Sequence, residues 1–293
     1  MILKILQIKK TFAILFLIIA ASVFFSSCEK EDTGDFVKQA EITSMSLELD
    51  LETIRLSMLF HKAIHDTALM NHDTAFIDSA FVTLSTNSLT NQKTFTYDYG
   101  DGQVCPDWNT RSGKIIANYM HNPSNGKFIL NADFNAYKFE SFVMDGELSM
   151  SDSVESNVAG IQFACTANFQ SYDANGVNFL QNSNKIFTWT KGFDKPYNWE
   201  GHEFLASGSA NANYKKSEEA MVAEAELHTT IIEDWAVRLS CGKIINTGTL
   251  EVQFINDGTS ELLTGAFIDA DIDGCSDKVI LKNSANFGYP FYF

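Results

Sequence analysis

Three patterns of apolar and polar positions follow one another along the chain. A largely apolar, uncharged run extends from Thr11 and Phe12 through Phe25. From about Lys38 to Asn71, apolar Ile42, Met45, Leu49, Leu56, Leu59, Phe60 and Ala63 recur at threes, fours and sevens, with polar Glu48, Glu52, Arg55 and Lys62 between them. That spacing predicts one long amphipathic helix. Ser44 to Leu51 also alternates, so a strand competes for its first half. Beyond Asp73 the period becomes two. Thr94–Tyr97, Lys127–Leu130, Ile161–Ala164, Lys185–Thr188 and Leu250–Phe254 alternate or are rich in β-branched and aromatic residues. Asn125-Gly126, Asp145-Gly146, Asn175-Gly176 and Asp257-Gly258 supply the positive φ that tight hairpins need. Ser217 to Glu226 is Glu- and Ala-rich, but the Ile231-Ile232 pattern after it favours a strand with an acidic outer face.

With about ten to thirteen strands and no crossover helix between them, the expected fold is mainly β. It is a long antiparallel meander, as a curved sheet, a sandwich or a barrel-like form, preceded by one N-terminal amphipathic helix. Residues 73–293 form the β domain and 38–72 the helical segment.

The first 27 residues read differently. Lys4, Lys9 and Lys10 precede the apolar run, which ends in Phe25-Ser26-Ser27-Cys28. A basic start, a short apolar stretch and small residues before a cut make a secretory signal peptide. The run is roughly 15 residues, against the roughly 20 that span a bilayer. A cysteine at the cut looks like a bacterial lipoprotein signal, in which the Cys28 thiol takes a diacylglyceryl group and becomes the lipidated N-terminus. Residues 28–37 then form a charged tether. Glu29-Lys30-Glu31-Asp32 resembles the export signal that sends Bacteroidota lipoproteins to the cell surface. The expected location is the outer membrane, lipid-anchored and exposed, with the periplasmic face as the alternative.

Charge excludes one class of partner. The chain has 37 acidic and 21 basic side chains, a formal charge of −16. Removing residues 1–27 takes three lysines and no acid, so the mature chain is more acidic still. Such a surface repels nucleic acid, whose phosphate contacts need Lys and Arg. The expected partners are the bilayer, through the acyl chains, and an extracellular polymer or protein ligand.

Cys105, Cys165, Cys241 and Cys275 lie in a chain bound for a disulfide-permissive compartment. Cys241 falls in a strand and Cys275 in a turn one hairpin later, so these two are the expected pair, with Cys105 the alternative partner of either. No Cys-x-x-Cys spacing points to zinc or to thioredoxin-type chemistry.

A family resemblance rests on several motifs: Asp98-Tyr99-Gly100-Asp101-Gly102 with Cys105, Arg111-Ser112-Gly113-Lys114-Ile115, Asp194 to Trp199, Ala206 to Ala210, Cys241, and Asp271 to Asp277 around Cys275. Together with the lipobox, they resemble a set of Bacteroidota surface lipoproteins with an acidic helix and a strand-rich body. The resemblance covers nearly all of the mature chain and carries no assigned activity. Cys165 departs from the pattern and is expected to be free.

Candidate chemistry is sparse. Asp269, Asp271 and Asp273, with Gly274 and Asp277, match the opening of a calcium loop, but Ile280 stands where an EF-hand needs its bidentate Glu. A cofactor-free chain is the default and Ca²⁺ the alternative. His61 and His65 share a helix face, but Lys62 stands where a metalloprotease has Glu, so solvated surface histidines are expected. Phe187, Trp189, Phe193, Tyr197, Trp199 and Phe204 read as core or hairpin packing, with a sugar-stacking face as the alternative. Thr67, Thr74, Ser79 and Ser153 follow an Asp and precede a small apolar residue, which resembles the Bacteroidota O-glycosylation tripeptide. No Gly-x-Ser-x-Gly and no phosphate loop occurs. The expected function is a non-enzymatic binding or structural module. The alternative is a hydrolase of surface polysaccharide using a carboxylate pair.

Overall fold

A computed structural model describes residues 33–122, 124, 126–152, 161–217, 223–241, 245–269 and 275–293. The chain divides into two compact units, Met1–Gln39 and Ala40–Phe293. Of the first unit, the described residues belong to the opening turns of helix α1 (Thr33–His65). The helix therefore starts at Thr33, inside the stretch expected to be tether. After α1 and the short α2 (Thr67–His72), the chain runs through β1 (Thr74–Ile77), β2 (Ala80–Thr86), β3 (Lys93–Asp98), β4 (Gln103–Val104), β5 (Thr110–His121), β6 (Phe128–Phe139), β7 (Phe142–Asp152) and β8 (Ile161–Tyr172). It continues through β9 (Asn178–Lys191), β10 (Glu203–Lys215), β11 (Ala225–Arg238), β12 (Ile245–Asn256), β13 (Thr259–Asp269), β14 (Ser276–Lys282) and β15 (Gly288–Tyr292).

These 15 strands form one antiparallel sheet in sequence order, with only β4 set aside against β5. The mainly β meander is thus present as a single sheet, not as a sandwich, and with more strands than the turn signals suggested. Alternation builds it. Along β8, Phe163, Cys165, Ala167 and Phe169 are buried while Thr166, Asn168 and Gln170 face outward. One outward row is polar: Asn168, Asn182, Asn211 and His228 stand opposite one another across β8 to β11.

The helix corrects the sequence reading most. From Leu49 to Ala63 every residue of α1 is buried. An amphipathic helix with a solvated face was expected; what forms is a helix inside the curve of the sheet. Its partners come from β3, β8 and β9: Phe60 packs on Tyr97 with ring centroids 5.2 Å apart, Ser57 Oγ lies 3.2 Å from Cys165 Sγ, and Asp50 meets Lys185 at 2.8 Å. A helix enclosed on all sides buries its polar residues too, and each then needs a partner. The strand alternative for Ser44 to Leu51 is not realised. Of the polar residues there, Ser44 Oγ donates back to the Glu41 carbonyl at 2.8 Å and Asp50 bonds to β9. The helix also stops before Asn71. Asp66 accepts from Leu69 N at 2.7 Å and caps a separate α2, which ends at Asp73 with φ 59°.

Asn175-Gly176 and Asp257-Gly258 lie in the β8–β9 and β12–β13 turns. Asp145-Gly146 does not turn. It lies within β7, where a Cβ on Gly146 would stand 2.0 Å from the Asn168 carbonyl oxygen. Glycine is required there by close backbone approach, and the β6–β7 turn falls instead at Glu140 and Ser141. Of Asn125-Gly126, Asn125 lies outside the described residues. The Glu/Ala-rich segment leads into β11 at Ala225, with residues 218–222 outside the described set.

Cys241 and Cys275 are joined, with Cα atoms 5.7 Å apart. Cys105, the alternative partner, is a buried free thiol in the loop after β4; Cys165, expected to be free, is one too, facing α1. Burial pushes the Cys165 thiol up to about 12, so it stays protonated and inert.

Candidate functional site

The helix positions one stripe of side chains at Glu52, Arg55, Leu56, Leu59 and Lys62, spaced by threes and fours. This stripe floors a half-open cleft of about 350 Å³. The loop from Cys105 to Asn109 forms one wall. It is closed by Cys105 N to Asn109 O at 2.9 Å and by Asn109 N on Asp107 Oδ1 at 3.2 Å, so the Asp107 carboxylate is fixed by its own turn. Trp199, in a single 3₁₀ turn between β9 and β10, and Leu239 to Cys241, held by the disulfide, form another part of the rim.

Arg111 is the centre of the floor. Its Nε and Nη2 donate to Glu52 at 3.0 and 2.6 Å, and its Nη1 and Nη2 donate to Asp107 at 2.8 Å each. Tyr137 Oη donates to Glu52 Oε1 at 2.5 Å. Gly113 lets β5 make this approach: at φ 81° its missing Cβ would lie 2.3 Å from the Ala136 carbonyl oxygen, where β5 and β6 shift register. Burial pushes the Asp107 carboxyl up, but the Arg111 hydrogen bonds and charge, with Arg55 behind them, hold it down at about 2. Arg111 is raised further above its ordinary range: burial opposes the charge, and Glu52 more than compensates. On the same stripe, Lys62 Nζ donates to both oxygens of Asp78 at 2.9 and 2.7 Å and lies 4.4 Å from the Trp199 ring centroid.

Arg55 is different. Its side chain is 5 % exposed, with Nε 3.2 Å from Asp107 Oδ2 and Nη1 3.7 Å from Glu52 Oε2. These are ion-pair approaches without hydrogen-bond geometry, and none of its three nitrogens makes a hydrogen bond within the protein. The carboxylates are saturated by Arg111, Tyr137 and Asn109. The floor therefore holds no free carboxylate oxygen pair.

Of the two histidines that share a helix face, His61 is buried and His65 half-buried. His61 and His202 are buried, and His61 Nε2 lies 3.1 Å from His202 Nδ1. His202 Nε2 reaches the Lys195 carbonyl at 3.3 Å, which can only accept. With both rings neutral, His202 donates there and His61 donates to His202. Burial, then the neighbouring His65 and His202, hold His61 well below its ordinary value; burial and His202 hold His65 at about 4. The expectation of solvated histidines fails because the C-terminal end of α1 is packed against Trp189 and Phe204. Among the described residues, no three His, Cys, Asp or Glu are arranged to hold a metal ion.

Of the aromatic run, Phe187, Trp189 and Phe204 are core, Phe193 and Tyr197 are exposed, and Trp199 edges the cleft. Cys28, Asp271, Asp273 and Ser153 lie outside the described residues, and of Asp269 and Asp277 only the backbone, in β13 and β14, is described. Thr67 and Thr74 are exposed on α2 and β1; Ser79, half-buried, donates to the Val104 carbonyl at 3.1 Å. The residues that matter most in the cleft, Glu52, Arg55, Asp107 and Arg111, were not singled out as a site. Their signals were faint: polar residues at helical spacing, and an Arg at the head of the Arg-Ser-Gly-Lys-Ile motif. Comparison with protein-family models, curated proteins and solved structures found no match to this chain.

Proposed function

We propose that this chain is a lipid-anchored, non-enzymatic binding module of the outer-membrane surface, tethered through Cys28, whose ligand enters the cleft above Glu52, Arg55 and Arg111. The lipobox, the acidic residues after it and the resemblance to Bacteroidota surface lipoproteins support the anchoring. One observation carries the binding reading: the cleft has a rigid, ion-paired floor made by four separate elements, yet both of its deep carboxylates are clamped by the same arginine.

That clamp argues against the hydrolase alternative. Glycoside hydrolysis needs one carboxyl kept protonated near neutral pH and a second free to attack or to activate water. Asp107 is held at about 2, and the Glu52 oxygens are occupied by Arg111 and Tyr137.

Two measurements test the reading. Radioactive palmitate should label the wild type and not Cys28→Ala. Thermal-shift screening of the mature chain against mono- and oligosaccharides and short peptides should find a stabilising ligand whose effect is lost when Ser240→Trp fills the rim. Release of reducing ends from a surface polysaccharide, abolished by Asp107→Asn, would sink the proposal.

A further inference from the structure

We infer that the protein has a second binding site, for a saccharide, in the open cavity of about 630 Å³ between the end of α1, one end of β3 and β5, and the β9–β10 loop. It shares no lining residue with the cleft above Glu52, so the two readings stand or fall separately. The cavity follows from where the helix stops. The face of β3 and β5 turned to α1 carries Phe95 and Tyr97 opposite Ala117 and Ile115, and all four are buried. α1 ends at His65, but that face continues to Lys93 opposite Tyr119, and then to His121. Period two turns these positions inward as well, yet they are polar, with Lys93 and Tyr119 half-buried and His121 exposed. A row covered by the helix would be apolar; this one lines an open space.

The groups within reach of a ligand narrow its class. Tyr197 lines the cavity from the β9–β10 loop and is 68 % exposed. Its loop is tied: Lys195 N donates to the Gly192 carbonyl at 3.0 Å, Asn198 N donates to the Lys195 carbonyl at 2.9 Å, and His202 Nε2 reaches that same carbonyl at 3.3 Å. A ring held in solvent gains nothing from the core, and its flat apolar face suits the C–H face of a sugar. Tyr119 is a second, fixed ring, backed by Phe128 with centroids 6.0 Å apart. Thr67, Asn71 and Asn91 are exposed and add a hydroxyl and two amides, which both donate and accept, as sugar hydroxyls do. The β2–β3 turn sets Asn91, at φ 56° with its N on the Asn87 carbonyl at 2.8 Å. Lys93 Nζ donates to the Met70 thioether at 3.1 Å, a weak acceptor, which leaves an ammonium with three donors free to bond to sugar oxygens. No acidic side chain lines the cavity, although the chain has 37, and this argues against an amine. The volume is within the range of small-molecule sites.

The test titrates the mature chain, at matched ionic strength, with the methyl glycosides of glucose, galactose, mannose and glucuronic acid. Sorbitol, with hydroxyls but no ring, and sodium acetate, with charge but no ring, are the controls. Binding is read from the backbone amide resonances of Lys93 and Tyr197. The expected result is that at least one glycoside moves both resonances and that neither control does. Tyr197→Ala, a surface change that keeps the melting temperature, should weaken that glycoside about 10-fold, and Tyr197→Phe, which keeps the ring, should restore it. Ser240→Trp, in the other cleft, should leave it unchanged. A tighter hold on the glucuronide than on the glucoside, lost in Lys93→Gln, identifies an acidic sugar; equal binding of the two identifies a neutral one. No response to any glycoside overturns the inference. So does sorbitol binding as well as the glycosides, or wild-type affinity in Tyr197→Ala. Loss of the response in Ser240→Trp with Tyr197→Ala unaffected would move the saccharide to the cleft above Glu52 and also overturns it.

Discussion

Two buried charge clusters sit two residues apart on α1, and they differ in one respect. At Asp50 the cluster is closed. Its oxygens accept from Ser183 Oγ at 2.7 Å and Lys185 Nζ at 2.8 Å, and Lys185, fully buried, also donates to the Ser209 carbonyl at 3.2 Å. At Glu52 the cluster is open. Two carboxylates and two arginines meet beside a cleft, and one arginine has no hydrogen bond within the protein. Positions two apart on a helix point to opposite sides, so one cluster ties α1 to β9 and the other faces β5, β6 and the Cys105–Asn109 loop. A closed cluster fixes how the helix lies in the sheet. An open one, fixed by the same kind of bonds, leaves one arginine without a hydrogen bond.

The largest expected effect breaks the closed cluster. Asp50→Ala leaves the Lys185 ammonium buried without a counter-charge, and urea unfolding should show a loss of about 3–5 kcal/mol. Replacing both partners, Asp50→Leu with Lys185→Met, should restore stability to within about 1–2 kcal/mol of the wild type, because the penalty comes from the orphaned charge. A single substitution costing under about 1 kcal/mol would mean that water reaches Lys185 and that the cluster is not closed.

Arg111→Gln tests the open cluster. It leaves Glu52 and Asp107 facing each other, but Arg55 stays beside both and the cleft admits water. The loss at pH 7 should be smaller, about 2–3 kcal/mol. Acid sharpens the contrast. A carboxyl held at about 2 in the fold and near its ordinary value when unfolded contributes stability above about pH 4, and loses it as pH falls toward 2. Wild type should therefore lose about 2–3 kcal/mol over that window from Asp107. Arg111→Gln should lose clearly less, because the clamp that lowers Asp107 is gone.

The histidines give a third, milder effect. His61, His65 and His202 are all held below their ordinary value, so the unfolded chain binds more protons than the fold does at mildly acidic pH. Stability they contribute is fully present above about 6.5 and falls as pH drops toward 4. Denaturation midpoints measured from pH 7 to 4.5 should decline in the wild type, and His65→Asn should flatten that decline. An equal slope in both would mean that His65 is hydrated and protonates freely.

Much of this was legible in the sequence, and the failures share one cause. Period-two alternation and Gly-containing turns gave the meander because each strand carries its own signal. Helical spacing gave α1 for the same reason. What the spacing could not say is what surrounds the helix. Glu52, Arg55 and Lys62 look identical on a solvated face and on a face wrapped by strands, and only long-range pairing decides between them. His61 misled for the same reason. Asp145-Gly146 misled for a related one: the same dipeptide serves a hairpin turn and a close backbone crossing, and its partner Asn168 lies a strand away. Arg111 stood in a recognisable motif and Asp107 lies four residues before it, but Glu52 comes from α1, which no local pattern links to them.

The smallest expected effect is the sharpest test of the comparison. Arg55 is as deeply placed as Arg111, and a count of buried ion pairs would rank the two alike. Their bonding says otherwise. Arg111 holds two carboxylates through four hydrogen bonds, while Arg55 makes none and carries the cost of lost hydration. Removing a buried donor that has no acceptor recovers part of what its burial cost, which offsets the two ion-pair approaches it gives up. Arg55→Gln should therefore change unfolding stability by less than about 1 kcal/mol, against about 2–3 for Arg111→Gln, with the Asp107 acid transition kept. Equal losses from the two substitutions would show that Arg55 is a strut like Lys185.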